Sequence, residues 1–150
     1  MIEAYGRLGR VEVSCVSTRT VLDVGSAYVL LGKLQQAIGD CEAGSGELGI
    51  TPGSQGTASH IVCGRGCKDS FESCSHGAGR RMGRKQAQRE LSLGDEIRRL
   101  DDAGVVHGIS SVKDLDEASG AYKDIGQVMM NQTDLVEIVE TLRPLGVVKG

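Results

Sequence analysis

A chain of 150 residues suffices for one domain, but 22 glycines, one phenylalanine, three tyrosines and no tryptophan leave only a thin core of Val, Ile, Leu and Ala. A formal net charge of −3 does not by itself announce a polyanionic partner. Apolar runs as short as Tyr28-Val29-Leu30-Leu31 exclude a bilayer-spanning helix, and the start Met1-Ile2-Glu3-Ala4-Tyr5 has no basic or long apolar region, so a soluble intracellular protein without a signal peptide is expected.

In chain order, residues 11–16 alternate in part and predict a strand, whereas Leu30, Leu31, Leu34 and Ile38 recur at helical spacing and predict a helix over 27–38. After a turn at Pro52, residues 60–63 read as a short buried strand. Residues 84–91 are helix-forming. Ser92-Leu93-Gly94-Asp95 resembles a capping signal for a second helix, which Gly104 should stop. Residues 105–109 have β character, 125–131 predict a short helix, and 135–139 begin a strand whose later part Pro144 places at a sheet edge. There is no internal repeat and no low-complexity tract.

Five cysteines, Cys15, Cys41, Cys63, Cys67 and Cys74, form an odd set that argues against a secreted disulfide framework. A zinc site from Cys63, Cys67, Cys74 and His76 is the functional alternative to free or buried thiols. Cys63 and Cys67 have a suitable spacing, but no second pair follows, and Cys74-Ser75-His76 would crowd two ligands onto one short piece. Charge is more informative in its distribution than in its sum. Residues 51–100 hold nine Lys/Arg and five Asp/Glu, against four and nine in residues 101–150. From His76 through Arg89 there are five bases and no acid, a local basic patch of the kind that meets nucleic acid, or else a solvated helix face.

That patch begins in the run Cys74-Ser75-His76-Gly77-Ala78-Gly79-Arg80-Arg81-Met82-Gly83-Arg84. Glycines let backbone N–H groups approach an anion, and arginines supply forked donors suited to phosphate. A histidine beside a bound phosphorus is a candidate nucleophile. The bland alternatives are a histidine satisfied by ordinary hydrogen bonds and a plain turn before a helix. The run is neither a P-loop nor a dinucleotide fingerprint, because no Gly-Lys-Ser/Thr follows and the glycine spacing is wrong. Pro52, Gly53, Ser54 and Ser59 offer hydroxyls in a segment that also suits a strand-connecting turn.

The run 74–84 resembles the nucleotidylation motif of the RtcB family of RNA ligases. Pro52-Gly53-Ser54-Gln55-Gly56-Thr57-Ala58-Ser59 resembles its nucleotide-pocket loop, and Arg143-Pro144-Leu145-Gly146-Val147-Val148-Lys149-Gly150 its C-terminal end. Ala121-Tyr122-Lys123-Asp124-Ile125 is also similar, and all four stand in the family's order. The resemblance runs through residues 44–150. Residues 1–43 form a divergent, unmatched N-terminal segment, with Gly39-Asp40-Cys41-Glu42-Ala43-Gly44 where the family carries His-Arg-Lys-Gly-Ala.

The resemblance implies an α+β fold, the C-terminal part of the RtcB-like fold with mixed short strands and helices. It implies a cytoplasmic, GTP-dependent RNA ligase of RNA repair and tRNA splicing. Such an enzyme joins a 3′-phosphate or 2′,3′-cyclic phosphate end to a 5′-hydroxyl through a histidine–GMP intermediate. His76 would be the catalytic residue. Pro52, Gly53, Ser54, Ser59, Gly77, Ala78, Gly79 and Lys149 would bind nucleotide, the glycine loop being helped by the helix N-terminus after it and Lys149 meeting the guanine. Arg80 and Arg84 would meet phosphate or RNA. The implied partners are GTP, RNA as tRNA halves or broken strands, and an archease-type activator, with no membrane. Mn²⁺ is implied too, but its ligands belong to the family's N-terminal part and no metal ligand is assigned here, so a fragment inactive alone is expected. Gly83 stands where the family usually has serine, which removes a hydroxyl contact or helix cap. His60 stands where the family often has an aromatic, and His107 lies in an apparent strand; neither is given a role. The alternatives are a non-catalytic guanine-nucleotide or RNA-binding remnant and a small Cys/His zinc module.

Overall fold

Two antiparallel pairings, of residues 19–21 with 146–148 and of 59–64 with 136–142, bring distant parts of the chain into register. The computed structural model describes residues 2–5, 10–15, 18–23 and 42–148, the first three stretches and Val148 by backbone alone. Strands β1 (Ile2–Tyr5), β2 (Arg10–Cys15) and β3 (Thr18–Asp23) form an antiparallel meander, with Val13 opposite Ile2 and Thr20. Strand β2 coincides closely with the strand expected over 11–16; the helix expected over 27–38 lies outside the described residues. β3 pairs antiparallel with β8 (Gly146–Val148), and β8 runs parallel to β6 (Val106–His107). Among the described residues this gives the order β1-β2-β3-β8-β6.

A second sheet has the order β4-β5-β7, all antiparallel, from β4 (Leu48–Thr51), β5 (Ser59–Gly64) and β7 (Val136–Leu142). β5 is central, and its His60, Ile61 and Val62 are buried, as expected for a strand flanked on both sides. Burial pushes the His60 imidazole below its usual range, and its Nδ1 lies 3.1 Å from Thr141 Oγ1 on β7. Against β5, Ile61 faces Glu140 and Val62 faces Ile138, so Val139 is the extra residue of a β-bulge. β7 is an outer strand of its sheet, and Pro144 lies past its end, in the link 143–145 to β8. Strand character at 105–109 shrinks to β6, because Ile109 N donates to His107 Nδ1 at 3.3 Å and turns the chain away.

Three α-helices follow the sequence signals within a residue or two. Helix α1 (Arg84–Glu90) turns into α2 (Leu93–Asp102), whose Ser92 cap accepts from Asp95 N at 3.4 Å and which ends before Gly104 at φ +68°. Leu93, Ile97 and Leu100 share the inner face of α2 and pack with Val105, Ile109 and Val147. Helix α3 (Ile125–Met130) is capped by Asp124, which accepts from Gly126 N at 2.7 Å. It places Ile125 and Met129 on Ala43, Val62, Ala78 and Val136. This second cluster lies directly beneath the candidate site. The mixture of short strands and helices is the α+β arrangement expected. Among the described residues no helix is long and apolar enough to cross a membrane.

Gly83 is the N-cap of α1, with φ −68° and ψ 158°, and it offers no side-chain cap bond. A Cβ there would meet nothing within 4 Å. Gly83→Ser should therefore stabilise the protein by about 0.5–1 kcal/mol, from a restored hydroxyl acceptor and a less flexible unfolded chain. Thermal melting should show a rise of roughly 2–3 °C.

Candidate functional site

The connection 52–58 between β4 and β5 is a turn that fastens itself from within. Ser54 N donates to Thr57 Oγ1 at 2.6 Å, and Thr57 N returns to Ser54 O at 3.2 Å. Gly53 N donates to Ser59 Oγ at 3.2 Å, and Ser54 Oγ lies 2.9 Å from Thr57 Oγ1, so both expected ligand hydroxyls also hold the turn. Glycine is required at 53, because a Cβ would stand 2.0 Å from Ala58 O. Gly56 N donates to Ser119 Oγ at 2.9 Å, which ties the turn to the short 3₁₀ segment Ser119–Ala121.

The second loop carries His76. Ser75 N donates to the buried Gln132 Oε1 at 2.8 Å, and Ser75 Oγ donates to Gly77 O at 2.8 Å. Ala78, buried in the core beneath, donates its N–H to Pro52 O at 3.0 Å and so binds the two loops to each other. Gly79 adopts φ +70°, a left-handed conformation that favours glycine, and its carbonyl accepts from Lys123 N at 2.9 Å. His76 itself is exposed.

Between the two loops lies a cleft of about 380 Å³, within the size range of small-ligand sites. Its first wall is Pro52, Gly53, Ser54, Gln55 and Ser59, and its second is the segment from Ser75 to Arg80. Glu117 and Tyr122 close it. The structure thus gathers Pro52, Gly53, Ser54, Ser59, His76, Gly77, Ala78, Gly79 and Arg80 around one space. Arg84 is not among the lining residues, and Lys149 lies outside the described residues.

The arginines differ from the expectation of ready phosphate contacts. Arg80 donates from Nε to Met82 O at 3.0 Å and from Nη1 to Glu117 Oε2 and Tyr122 Oη, each at 3.1 Å. Its Nη2 donates to Asp116 O, and its guanidinium carbon stands 4.9 Å from the Tyr122 ring centroid. Every nitrogen of Arg80 is engaged inside the protein, so it forms part of the wall. Arg84 Nε donates to Glu117 Oε1 at 2.9 Å while most of its side chain faces solvent. The hydrogen bond and charge of Glu117 raise the Arg84 pKa further. Tyr122 Oη donates to Glu117 Oε2. Burial first, and then the Glu117 carboxylate, push the Tyr122 phenol up. Glu117 is buried, so one carboxylate organises two cleft-lining groups, Arg80 and Tyr122, and the solvent-facing Arg84.

The helix N-terminus lies where the sequence places it, at Arg84, and stands apart from the glycine loop. Arg80 bridges Tyr122 and Arg81 N donates to Ala121 O at 2.9 Å, so residues 80–83 run beside another segment and α1 starts only at Arg84. His107 pairs with Asp101 at 3.1 Å, away from the cleft-lining set. Among the described residues no three His, Cys, Asp or Glu side chains come together as a metal site, so Cys63, Cys67, Cys74 and His76 are not assembled for zinc. Sequence reasoning passed over Gln55, Ser75, Glu117 and Tyr122. Gln55 and Tyr122 lay inside runs already singled out, and Ser75 beside His76. Glu117 carried no local signal.

The family model for tRNA-splicing ligase RtcB matches residues 31–150. The RNA-splicing ligase RtcB of Escherichia coli K12 is 46% identical over 112 residues, which cover 75% of this chain and 27% of that protein. The tRNA-splicing ligase RtcB of Nanoarchaeum equitans is 37% identical over 110 residues, 70% of this chain and 23% of that protein. RNA-splicing ligase RtcB homolog 2 of Entamoeba dispar is 33% identical over 144 residues, 93% of this chain and 26% of its own length. The chain spans about a quarter of the length of these curated relatives.

Proposed function

This chain belongs to the RtcB family, and on that premise we propose that it is the nucleotide-holding part of a GTP-dependent RNA ligase, with His76 as the residue that takes GMP. The observation that carries the reading is the apposition of the 52–58 turn and the His76 loop across one cleft, joined by the bond from Ala78 N to Pro52 O. The turn supplies hydroxyls and the other loop supplies glycine backbone, a division suited to a nucleoside and its phosphates.

The unprotonated ring nitrogen of His76 attacks the α-phosphorus of GTP. An N–P bond forms, the bond from that phosphorus to the oxygen bridging the β-phosphate breaks, and pyrophosphate leaves with the electron pair. The imidazole keeps its remaining proton until solvent takes it. GMP then passes from His76 to an RNA 3′-phosphate, and a 5′-hydroxyl displaces it to seal the strand. An end bearing a 2′,3′-cyclic phosphate is first opened by water. Splitting one difficult joining into three easier transfers is the advantage of the covalent step. The exposed Arg81, Arg84, Lys85 and Arg89 provide a basic surface suited to the RNA backbone. The described residues gather no donor set that fits Mn²⁺, so no step is routed through it here.

The test complements this chain in trans with the part of a curated relative that it does not cover. Incubated with Mn²⁺ and GTP labelled at the α-phosphate, the complemented protein should place acid-labile label on this chain. GTP binding without label would instead support the non-catalytic remnant, and equal labelling from ATP would overturn the guanine assignment.

A further inference from the structure

Gln55 lines the cleft, is 2% exposed, and leaves its Oε1 without a hydrogen-bond partner among the described residues. A buried amide carbonyl stripped of water and given nothing in return is costly, so native proteins rarely leave one unpaired. The backbone on either side of Gln55 is held in place. Its neighbour Ser54 is tied to Thr57, and Gly56 is tied to Ser119. A Cβ at Gly56 would stand 2.9 Å from the Leu100 side chain, so the turn is also packed against α2. Thr51 Oγ1 is a second unpartnered atom, but Thr51 is not among the cleft-lining residues.

We propose that Gln55 is a specificity-determining residue of the cleft, its side-chain carbonyl accepting a hydrogen bond from an N–H or O–H of the nucleoside half of the bound nucleotide. This deepens the nucleotide reading above and rests on it. Phosphate oxygens at neutral pH are acceptors and would repel a second acceptor, whereas bases and ribose carry donors. The Gln55 end of the cleft therefore takes the nucleoside, and the phosphates lie toward the loop of His76, Gly77 and Gly79. The unliganded protein bears an unpaired acceptor that the ligand satisfies, so the same atom lowers stability and raises affinity.

The experiment compares the 150-residue chain with its Gln55→Met variant, and with Gln55→Leu as a second apolar replacement. Kd is measured for GTP and for tripolyphosphate, which has no donors, and Tm is measured without ligand. Both variants should bind GTP about tenfold more weakly and tripolyphosphate unchanged. Gln55→Met should melt roughly 2–4 °C higher than the parent, because the unpaired acceptor is gone. A lower Tm would overturn the inference, since the carbonyl would then be satisfied within the protein. Equal weakening toward both ligands would also overturn it, by placing the amide against phosphate. Unchanged GTP affinity in both variants would overturn it while leaving the nucleotide reading intact. Failure of the parent chain to bind GTP would overturn both.

Discussion

His76→Ala should abolish covalent GMP while leaving the fold intact. His76 is exposed, and substitutions at exposed positions usually change stability by no more than about 0.5 kcal/mol. The chemical loss is of another order. Without a nucleophile the first transfer has no acceptor on the protein, and removing an activated nucleophile typically lowers a rate by several powers of ten. Intact-mass analysis of the complemented protein, with GTP and Mn²⁺ present, should find the GMP adduct on the parent and none on the variant. Label persisting at an unchanged level in His76→Ala would remove His76 from the catalytic role. The chain by itself should not join RNA ends, since it spans about a quarter of its relatives and its described residues offer no metal site.

Glu117→Ala should cost about 3 kcal/mol of stability and lower Tm by roughly 6–12 °C. Glu117 is 4% exposed and accepts from Arg80, Arg84 and the Tyr122 hydroxyl. Removing the carboxylate strands the Arg80 guanidinium, about three-quarters buried, without its counter-charge. It also leaves Tyr122 Oη without its acceptor. The solvent-facing Arg84 pair adds little. Glu117→Gln keeps the shape and part of the hydrogen bonding, so it should lie between the parent and the alanine variant. Thermal or urea unfolding of all three checks the order. A Glu117→Ala protein as stable as the parent would show that Arg80 finds compensation from Asp116 O, Met82 O and water alone.

What the sequence made legible and what it hid divide along a physical line. Helices α1, α2 and α3 were readable because their signals are local: helix-forming residues over 84–91 and 125–131, the Ser92 capping signal and the Gly104 stop. The two cleft loops were readable because turns advertise themselves through Gly, Pro and Ser. The Arg80–Glu117–Tyr122 cluster was not, since it joins residues 37 and 42 positions apart and depends on packing. The same holds for Gln55, whose importance lies in an atom left without a partner after folding. Arg80 was read as an arm toward phosphate because a sequence displays charge but conceals its internal acceptors. β6 came out shorter than its β-forming residues suggest, because a parallel partner in β8 reaches it over only two positions.

The pairing of Thr20 with Val147 has a consequence for biosynthesis. Thr20 precedes Val147 by 127 residues, so β3 is made long before its partner β8. The β4-β5 hairpin, with its cleft turn, can close on nearby contacts while the chain is still growing. One edge of β3, by contrast, must wait while the second sheet and helices α1 to α3 are made before its neighbour exists. Such distant contacts form slowly, and a strand edge left open meanwhile is a template for pairing with other nascent chains. The vulnerable interval in making this protein therefore falls between the emergence of β3 and that of β8, and it lengthens whenever translation pauses between the two.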